Sequence, residues 1–418
     1  MRVIDLFAGI GGMRRGFELA CKNFGIESEC VFTSEIKPHA VKILAQNYPG
    51  ENICGDITII SADEIPDFDF LLAGFPCQSF SSAGKRRGFD DSRGAMFFEV
   101  LRILTAKRPR GFLLENVEGL VNHDRGKTLR TITDSLNNAG YYTSYRVLNA
   151  KDFGLPQDRR RIYIAGTNKR SPDMSNFVFS HKNLREILEY GLECEYSEFI
   201  AALLKHYSPK ELQGKSIKDK RGGKNNIHSW DIGLKGPVSE KQRELLNIIL
   251  TERRKKHWAD EYNIDWMDGM PLTLKMIRTF YDDPELEEML DDLVRKKYLV
   301  KEHPKRLISG RRVKDTSLPE GYNIVAGKIS YQVNRVLDPD GIAPTLVAMD
   351  MERLYVADGD GIRKLSLREG LRLFGYPEDF SFEGISLQEG YNLLGNTVAV
   401  PVISAVAGRL LDICREGE

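Results

Sequence analysis

The sequence has few cysteines and lacks both a membrane-length apolar run and a net charge. Its six cysteines form no CxxC pair and no regular spacing, which argues against a structural zinc site or a disulfide framework. No apolar run approaches the roughly 18 residues that cross a bilayer. We therefore expect a cytoplasmic protein that holds no metal and associates with no membrane.

The charge total is zero, because 60 Lys and Arg residues balance 60 Asp and Glu residues. This total argues against a nucleic-acid partner, since nucleic-acid-binding domains are usually basic. The distribution is uneven, however. Segments 205–224 and 295–314 carry seven and nine basic residues against two acids and one acid, whereas 282–292 carries seven acids and no base. The two basic segments have the charge that phosphate contacts require.

The first 166 residues predict strands that alternate with helices. Apolar runs predict strands at 2–7, 29–34, 68–73, 111–115, 141–148 and 161–166, and helical spacing predicts helices at 11–23, 38–47, 95–106 and 128–139. The loop between the last two strands is too short for a crossover helix, so that pair should be antiparallel. The alternation predicts an α/β fold with a doubly wound, mostly parallel sheet.

The composition changes after about residue 175, and all three tryptophans lie in the segment that follows. We predict a first domain over 1–178 that 386–418 completes, an inserted second domain over 179–330, and a connecting hinge over 331–385. The insert should be mostly loops, with helices at 239–256 and 284–297. Its core should contain Trp230, Trp258 and Trp266, because Trp commonly anchors a small domain.

A glycine-rich turn joins the first strand to the first helix in DLFAGIGGMRRGF (5–17). Glycines let the backbone turn tightly and approach a ligand, and the helix N-terminus offers unpaired N–H groups. The dinucleotide fingerprint is incomplete, because Arg14 stands at its third glycine. Glu35 ends the second strand, where an acid commonly binds ribose hydroxyls, and Asp56 follows the third. These residues predict an adenosine-containing cofactor and leave NAD(P), FAD and S-adenosylmethionine open.

Cys77, in GFPCQSF (74–80), is the candidate nucleophile. It follows a proline at the carboxyl end of the fourth strand, which is the ligand-facing edge of such folds. It opens a polar loop over 78–94 with glycines and a basic KRR at 85–87, which we interpret as a lid that closes over a phosphate backbone. The other five cysteines are interpreted as small buried hydrophobic residues.

Glu115 ends the fifth strand in ENV (115–117), near the same sheet edge. A half-buried carboxyl group there would have a raised pKa and would serve as a proton donor. In QDRRR (157–161), the period of two places Arg159 and Arg161 on one side of the strand and Arg160 on the other. Two guanidinium groups on one side suit a planar oxygen-bearing ring or a phosphate.

Taken in order, these motifs closely resemble those of the C5-cytosine DNA methyltransferases of bacterial restriction–modification systems. Outside 180–325 the matching strings are DLFAGIGG, SEI (34–36), GDI (55–57), GFPCQSFS, DSRGAMFFE (91–99), ENV, QDRRRIYIAG (157–166), RVLDPDGIAPTLVA (335–348), RKLSLREGLRLFGYP (363–377) and GNTVAVPV (395–402). The resemblance implies a Rossmann-like S-adenosylmethionine-dependent methyltransferase sheet, mostly parallel with an antiparallel last strand, and an inserted smaller DNA-recognition domain.

The resemblance also implies the cofactor, S-adenosylmethionine, which leaves as S-adenosylhomocysteine, and no metal. Phe7 would stack near the adenine, Glu35 would bind the ribose and Asp56 the adenine amino group. Met96 stands where the family often has Leu and keeps that wall apolar. The implied cofactor-binding residues are Asp5, Phe7, Ala8, Gly9, Gly11, Gly12, Glu35, Ile36, Asp56, Ile57, Pro76, Met96, Asn396 and Val398.

The activity implied is methylation of C5 in a cytosine that is flipped out of duplex DNA. Cys77 would add to C6 of the ring, and Glu115 would hold N3 and N4 and protonate N3. Arg159 and Arg161 would steady the ring carbonyl, the nucleophile loop or the flanking phosphate. The implied DNA contacts are Gln78, Ser81, Gly84, Lys85, Arg86 and Arg93 in the lid, and Lys305, Arg306, Arg311 and Arg312 in the insert, which is the target-recognition domain.

Two alternatives are an RNA cytosine-5 methyltransferase of the same fold and a sequence-specific DNA-binding protein without catalysis. The long insert and the absence of a Cys-Phe-Thr string favour DNA, and intact Cys77, Glu115 and Arg159 favour catalysis. A nicotinamide oxidoreductase is disfavoured by Arg14. The expected partner is double-stranded DNA, bound by a monomer that protects host DNA from a paired restriction endonuclease without contacting that enzyme.

Overall fold

A computed structural model of the chain describes residues 1–76, 95–219, 222–265, 269–308, 311–325 and 331–415. These residues form two compact units. The larger unit comprises Met1–Glu189, Pro339–Glu352 and the chain from Leu365 onward, and the smaller unit comprises Tyr190–Asp338 and Arg353–Lys364. Segment 331–385, predicted as a connecting hinge, is therefore divided between the two units.

The first part of the larger unit alternates strands with helices, as predicted. Its elements are β1 (Arg2–Leu6), α1 (Gly12–Asn23), β2 (Glu29–Ser34), α2 (Pro38–Asn47), β3 (Ile53–Cys54), β4 (Phe70–Ala73), α3 (Ala95–Lys107), β5 (Gly111–Val117), α4 (Lys127–Asn138), β6 (Tyr142–Asn149) and β7 (Arg160–Thr167).

The seven strands form one sheet in the order β3-β2-β1-β4-β5-β7-β6. β1 pairs in parallel with β2 and β4, as do β2 with β3 and β4 with β5. β7 runs antiparallel to both β5 and β6. The predicted α/β class and the antiparallel last pair are confirmed.

The smaller unit is built from short helices and short strands. They are α5 (Glu198–His206), α6 (Pro209–Leu212), β8 (Ser216–Ile217), β9 (Asn226–Ile227), α7 (Glu240–Glu252), α8 (Lys256–Asp260), α9 (Leu274–Arg278), α10 (Leu286–Arg295), β10 (Leu299–Glu302), β11 (Lys305–Ile308), β12 (Arg311–Lys314), β13 (Gly321–Ile324), β14 (Arg335–Val336), β15 (Leu354–Asp358) and β16 (Gly361–Lys364).

The strands of the smaller unit form a five-stranded sheet in the order β16-β15-β14-β8-β9 and two pairs, β10–β13 and β11–β12. The insert is mostly loops, as predicted, and α7 and α10 lie within the two predicted helices. Its strands were not predicted, because strands of two to four residues are too short for an alternation of apolar and polar side chains to show. Trp230 and Trp258 are buried in its core, as predicted, and Trp266 lies outside the described residues.

Three helices complete the larger unit: α11 (Leu367–Phe374), α12 (Leu387–Gly395) and α13 (Val400–Arg415). Successive side chains of β1 point to opposite sides of the sheet. Val3 packs in one apolar cluster with residues of α1 and α13, and Ile4 packs in another with residues of α3 and α4. The larger unit therefore has three layers, with the sheet between two layers of helices.

One stretch of the described chain, Leu387–Arg415, is long and apolar enough to span a membrane by length and composition. The structure divides it into α12 and α13, and 67% of its most apolar window is buried inside the protein. Core helices of globular proteins have the same composition, and the burial of α13 against α1 is sufficient to account for its apolar character.

Gly16 in α1 allows α13 to approach closely. A β-carbon at Gly16 would lie 2.5 Å from Cβ of Ile403 and 2.8 Å from the carbonyl oxygen of Val400.

We expect Gly16→Ala to lower the free energy of unfolding by about 1–3 kcal/mol, measured by urea denaturation, because an added carbon forces a packed helix pair apart. Gly55→Ala is the matched control, since its added carbon meets nothing within 4 Å. Equal losses in the two variants would contradict this description of the packing.

Candidate active site

The predicted site residues of the larger unit lie at one edge of its sheet. The parallel strands β1, β2, β3, β4 and β5 all end there, and β7, which is antiparallel, begins there. The carboxyl edge of a parallel sheet is where ligands bind in folds of this kind. The structure therefore brings together the glycine loop, the acids that follow β2 and β3, and Glu115 at the end of β5.

The glycine loop between β1 and α1 is a tight turn. The backbone N–H of Ala8 donates to the carbonyl of Ser34 at 3.0 Å, and that of Gly11 donates to the carbonyl of Ala8 at 2.8 Å. Gly9 and Gly11 have φ angles of 57° and 83°, in the left-handed region that favours glycine. Phe7 has a φ of 55°, which is uncommon for a residue with a side chain and concentrates at functional sites.

Glu35 holds this loop in place. Its Oε2 accepts a hydrogen bond from the backbone N–H of Gly9 at 2.7 Å, and its Oε1 accepts from the N–H groups of Ile36 and Lys37 at 2.8 Å each. The side chain is buried, with 8% of the residue exposed. The sequence predicted a ligand-binding acid here but did not reveal that the same carboxylate also fixes the glycine loop.

Asp5 is the most deeply buried acid at this edge. It is fully buried at the end of β1, no described side chain donates to its carboxylate, and the backbone N–H of Arg14 interacts with it. Burial raises the pKa of Asp5 well above its usual range, and the charge of Arg14 opposes this rise without cancelling it. A buried carboxyl group with so few donors is costly in its charged form, which is why burial favours the protonated form of Asp5.

Arg14, which stands in place of the third fingerprint glycine, has a structural role. Its guanidinium group forms ion pairs with Glu18 and Glu51 and lies 3.7 Å from the centre of the Tyr48 ring. The residue is buried, and sequence reasoning missed this cluster because Tyr48 and Glu51 are more than thirty residues away along the chain. The arrangement braces α1 behind the glycine loop.

Asp56, the acid that follows β3, is exposed at the carboxyl edge of the sheet, as are Ile36 and Pro76. Asp56 is exposed, and its Oδ1 accepts hydrogen bonds from the backbone N–H and the hydroxyl of Thr58 at 3.0 and 2.8 Å. Ile57 is buried beside it, whereas Ile36 is 67% exposed and Pro76 is also exposed. Ile36 follows β2, the strand paired with β3, so an exposed apolar side chain lies near the Asp56 carboxylate, a combination that suits an aromatic ligand with a polar rim.

The C-terminal segment reaches the glycine loop within the larger unit. A β-carbon at Gly12 would lie 2.6 Å from the Tyr376 hydroxyl and 2.8 Å from Cγ2 of Val398. The Tyr376 hydroxyl is in turn 2.6 Å from Oγ1 of Thr397. Val398 is buried, and Asn396 is exposed at the end of α12. Sequence reasoning missed Tyr376, although it is the last residue but one of the matching string that ends in LFGYP (373–377).

Glu115 is buried in β5, with 8% of the residue exposed. A β-carbon at Gly74 would lie 4.0 Å from its Oε2, and the Asn116 side chain donates to the carbonyl of Phe75 at 3.2 Å. Burial raises the pKa of Glu115, and the charges of Arg161 and Arg159 oppose that rise. The predicted carboxyl group with a raised pKa is therefore present, next to the residues that precede Cys77.

The arginines of QDRRR divide as the period of two predicted. Nε of Arg161 lies 3.2 Å from Oε1 of Glu115, and both side chains are largely buried. Arg160 is exposed and lies 3.3 Å from Glu118. Arg159 is 3% exposed, and its pKa is lowered to about 9, first by burial and then by Arg161.

The guanidinium group of Arg159 is directed at main-chain carbonyls. It donates to the carbonyl oxygens of Leu346 at 2.9 Å, Thr397 at 2.7 Å and Gly395 at 3.4 Å. These segments all belong to the larger unit. Arg159 therefore links the start of β7 to the C-terminal segment that carries Asn396 and Val398, a contact that no local pattern in the sequence could indicate.

The predicted nucleophile and lid lie outside the described residues. These positions are Cys77, Gln78, Ser81, Gly84, Lys85, Arg86 and Arg93. Met96, just after them in α3, is partly buried and packs against the apolar cluster of α3 and α4. Within the described parts of the chain, no group of three or more His, Cys, Asp or Glu side chains is placed to hold a metal ion.

Comparison with known proteins agrees with this geometry. A family model for C-5 cytosine-specific DNA methylase matches residues 1–412. The chain is 60% identical to the Type II methyltransferase M.NlaIV of Neisseria lactamica and 59% identical to the Type II methyltransferase M.NgoBV of Neisseria gonorrhoeae, each over 98% of this chain and 99% of the relative. A solved methyltransferase, EhMeth of Entamoeba histolytica, has a similar fold, with a TM-score of 0.55 and 16% identity over 99% of this chain and 98% of that one.

The chain belongs to the C-5 cytosine-specific DNA methylase family. It is a DNA cytosine-5 methyltransferase, as the order of its motifs predicted. This assignment favours DNA methylation over the three alternatives, which were an RNA methyltransferase, a binding protein without catalysis and a nicotinamide oxidoreductase. The neutral net charge of the chain is therefore compatible with DNA as the substrate.

The raised pKa of Glu115 predicts a pH-dependent contribution to stability. The folded state retains this proton above the ordinary pKa of 4.5, so the stabilisation is present below that value and is lost as the pH rises through the folded pKa. Glu115→Gln should therefore gain stability relative to the unmodified chain as the pH rises from about 4 to 8, measured by urea denaturation. Glu118→Gln is the control, because that carboxylate is 44% exposed. A difference for Glu115→Gln that shrinks with rising pH would contradict the assignment.

Proposed function

We propose that the enzyme transfers the methyl group of S-adenosylmethionine to C5 of a cytosine flipped out of duplex DNA, through a covalent bond between the Cys77 sulfur and C6. The observation that carries the proposal is the buried carboxyl group of Glu115, which lies beside Gly74, three residues before Cys77 in the chain. A carboxyl group that keeps its proton at this position is suited to donate to N3 of the ring.

The carboxyl edge of the sheet fits S-adenosylmethionine. The glycine loop leaves room for the close approach of a ligand, Glu35 and Asp56 are acceptors for ribose hydroxyls and an adenine amino group, and exposed Ile36 can cover the adenine. Asp5, which lies just before the glycine loop at the end of β1, is the acid proposed to lie nearest the methionine moiety. When bound, this cofactor supplies an electrophilic methyl group and leaves as S-adenosylhomocysteine.

Covalent catalysis is needed because C5 of an electron-poor cytosine ring is a weak nucleophile. Addition of the Cys77 thiolate forms a bond to C6 and moves an electron pair onto C5, while Glu115 gives a proton to N3. C5 then forms its bond to the methyl group. A base removes the C5 proton, the electron pair restores the C5–C6 double bond, the bond to Cys77 breaks, and Glu115 takes back its proton.

Arg161 and Arg159 have different parts in this proposal. Arg161, 3.2 Å from Glu115, orients the carboxyl group and limits the rise of its pKa. Arg159 is a positioning residue, because both of its terminal NH2 groups donate to carbonyls, those of Leu346 and Thr397, while its buried Nε has no partner among the described residues. It holds the C-terminal segment against the edge of the sheet where the cofactor would bind.

DNA is the partner in this proposal, and the target cytosine must leave the stack at a cost of a few kcal/mol. The Type II methyltransferases to which the chain is similar over nearly its whole length support a role in protecting host DNA from a paired endonuclease. We propose that the chain acts in the cytoplasm as a monomer and has no physical contact with such an endonuclease.

Glu35→Gln should weaken S-adenosylhomocysteine binding by about 10- to 100-fold, because it removes a charge that binds ribose hydroxyls and fixes Gly9. Isothermal titration calorimetry measures the dissociation constant. Glu29→Gln is the matched control, since it changes the same residue type at the opposite, exposed end of β2. Unchanged binding in Glu35→Gln would reject the proposed cofactor site.

Cys77→Ser should abolish methyl transfer while preserving S-adenosylhomocysteine binding, because the hydroxyl is a far weaker nucleophile than a thiolate. A duplex with 5-fluorocytosine at the target should form a covalent complex with the unmodified enzyme only when S-adenosylmethionine is present, since fluorine at C5 blocks elimination. Denaturing electrophoresis detects that complex. Cys194→Ser, a change in the smaller unit, should form it normally, and formation by Cys77→Ser would contradict the mechanism.

A further inference from the structure

The β11–β12 hairpin of the smaller unit is short, strongly basic and exposed. Its pairing is antiparallel, with Lys305 opposite Lys314, Arg306 opposite Val313, Leu307 opposite Arg312, and Ile308 opposite Arg311. These eight residues include five cations and no acid. Leu307, Ile308 and Val313 are 57%, 56% and 45% exposed, which is unusual for apolar side chains in paired strands.

Arg306 anchors the hairpin to the rest of the smaller unit. Its guanidinium group pairs with Asp315 and donates to the carbonyl oxygens of Asn263 at 2.9 Å and Tyr262 at 3.0 Å. Hydrogen bonds from Ser317 and Arg306 lower the pKa of Asp315 to about 2, so this carboxylate stays charged at any pH used for assay. Arg306, predicted from sequence as a DNA contact, has its donors occupied within the protein.

The cations of the basic segment 295–314 are not equally available. Five of the nine pair with nearby acids: Arg295 and Lys296 with Asp292, Lys301 with Asp291, Lys305 with Glu302, and Arg306 with Asp315. In the hairpin, Arg311, Arg312 and Lys314 are exposed and form no ion pair with the residues that the structure describes. Available positive charge is therefore concentrated on β12.

The register divides the hairpin into two faces, because directly opposed side chains lie on the same side of a sheet. The first face carries Lys305, Leu307, Arg312 and Lys314, and the second carries Arg306, Ile308, Arg311 and Val313. On the second face Arg306 binds the Tyr262–Asn263 turn, while Ile308, Val313 and Arg311 on that face remain exposed. Arg312 and Lys314 point away from that contact.

We infer that the β11–β12 hairpin is a ribbon that enters the major groove of the target DNA and that Arg312 reads a guanine there. The major groove admits a two-stranded ribbon, and an arginine side chain binds guanine O6 and N7 with two hydrogen bonds. Lys314, two residues after Arg312 on the same face, contacts a phosphate, and Leu307 lies opposite Arg312, where it can meet a thymine methyl group. The inference rests on the proposed methylation of duplex DNA and adds the residue that sets its sequence preference.

Arg311 provides a matched control because it is also an exposed arginine and adjoins Arg312, but it lies on the opposite face. Arg312→Ala should lower kcat/KM on the target duplex by about 5- to 150-fold and abolish discrimination at one G·C pair. Arg311→Ala should weaken binding to all duplexes equally and lower the salt dependence of binding by about one unit. Lys256→Ala, at a cation 73% exposed elsewhere in the unit, should change neither property.

The test begins with bisulfite sequencing of DNA from cells that express the unmodified enzyme, which gives the target sequence. Each variant is then assayed on that duplex and on duplexes with one base pair changed, and thermal unfolding verifies that it is folded. Arg312→Lys retains the charge but not the two-bond geometry, so it should keep affinity and still lose discrimination. Unaltered discrimination at every position in Arg312→Ala would overturn the inference, whereas an absence of cytosine methylation by the unmodified enzyme would reject the proposed function itself.

Discussion

The antiparallel pairing of β5 with β7 places a carboxyl group and a guanidinium group together in a buried position, and the proposed chemistry depends on this pairing. Glu115 lies opposite Tyr163, and Arg161 lies opposite Val117, so Glu115 and Arg161 are diagonal neighbours on one face. Burial favours the neutral acid and Arg161 favours the carboxylate. A group balanced between the two forms can both give and take back a proton.

Glu35 fixes the glycine loop and is also the acid proposed to bind the cofactor. Glu35 follows β2, and its carboxylate accepts hydrogen bonds from Gly9 in the loop and from its own neighbours Ile36 and Lys37. The acid proposed to bind the cofactor is therefore held in place by the protein itself, and the loop is held with it. Such preorganisation avoids the cost of ordering a flexible side chain on binding. Arg159 does the same for the C-terminal segment through the carbonyls of Leu346 and Thr397.

Much of the larger unit was predictable, because its signals are local. The bounds predicted for β2 and α2 agree with the structure, and the short loop before Arg160 was sufficient to predict the antiparallel last pair. The position of Glu115 at the sheet edge followed from the same strand pattern. The contacts of Arg159 and the cluster of Arg14, Tyr48 and Glu51 were not predictable, because each joins segments that are distant in sequence.

The smaller unit was less predictable, and the reason is physical. The strands of the β11–β12 hairpin carry Lys and Arg where an ordinary strand carries apolar residues, so no alternation is visible. A charge total also cannot distinguish Arg306, whose donors are occupied, from Arg312, which has no ion-pair partner in the described chain. Thus the neutral sum of charges, which first argued against DNA, conceals a small number of available cations.

The most direct measurement is the chemical identity of the methylated base. Duplex DNA is incubated with the enzyme and S-adenosylmethionine that carries a deuterated methyl group, and the DNA is then digested to nucleosides for mass spectrometry. The proposed mechanism predicts that the label appears in 5-methyldeoxycytidine and that Cys77→Ser and Glu115→Gln lose it. Label in N4-methyldeoxycytidine or N6-methyldeoxyadenosine would contradict it, because transfer to an exocyclic amino group needs no thiolate addition at C6.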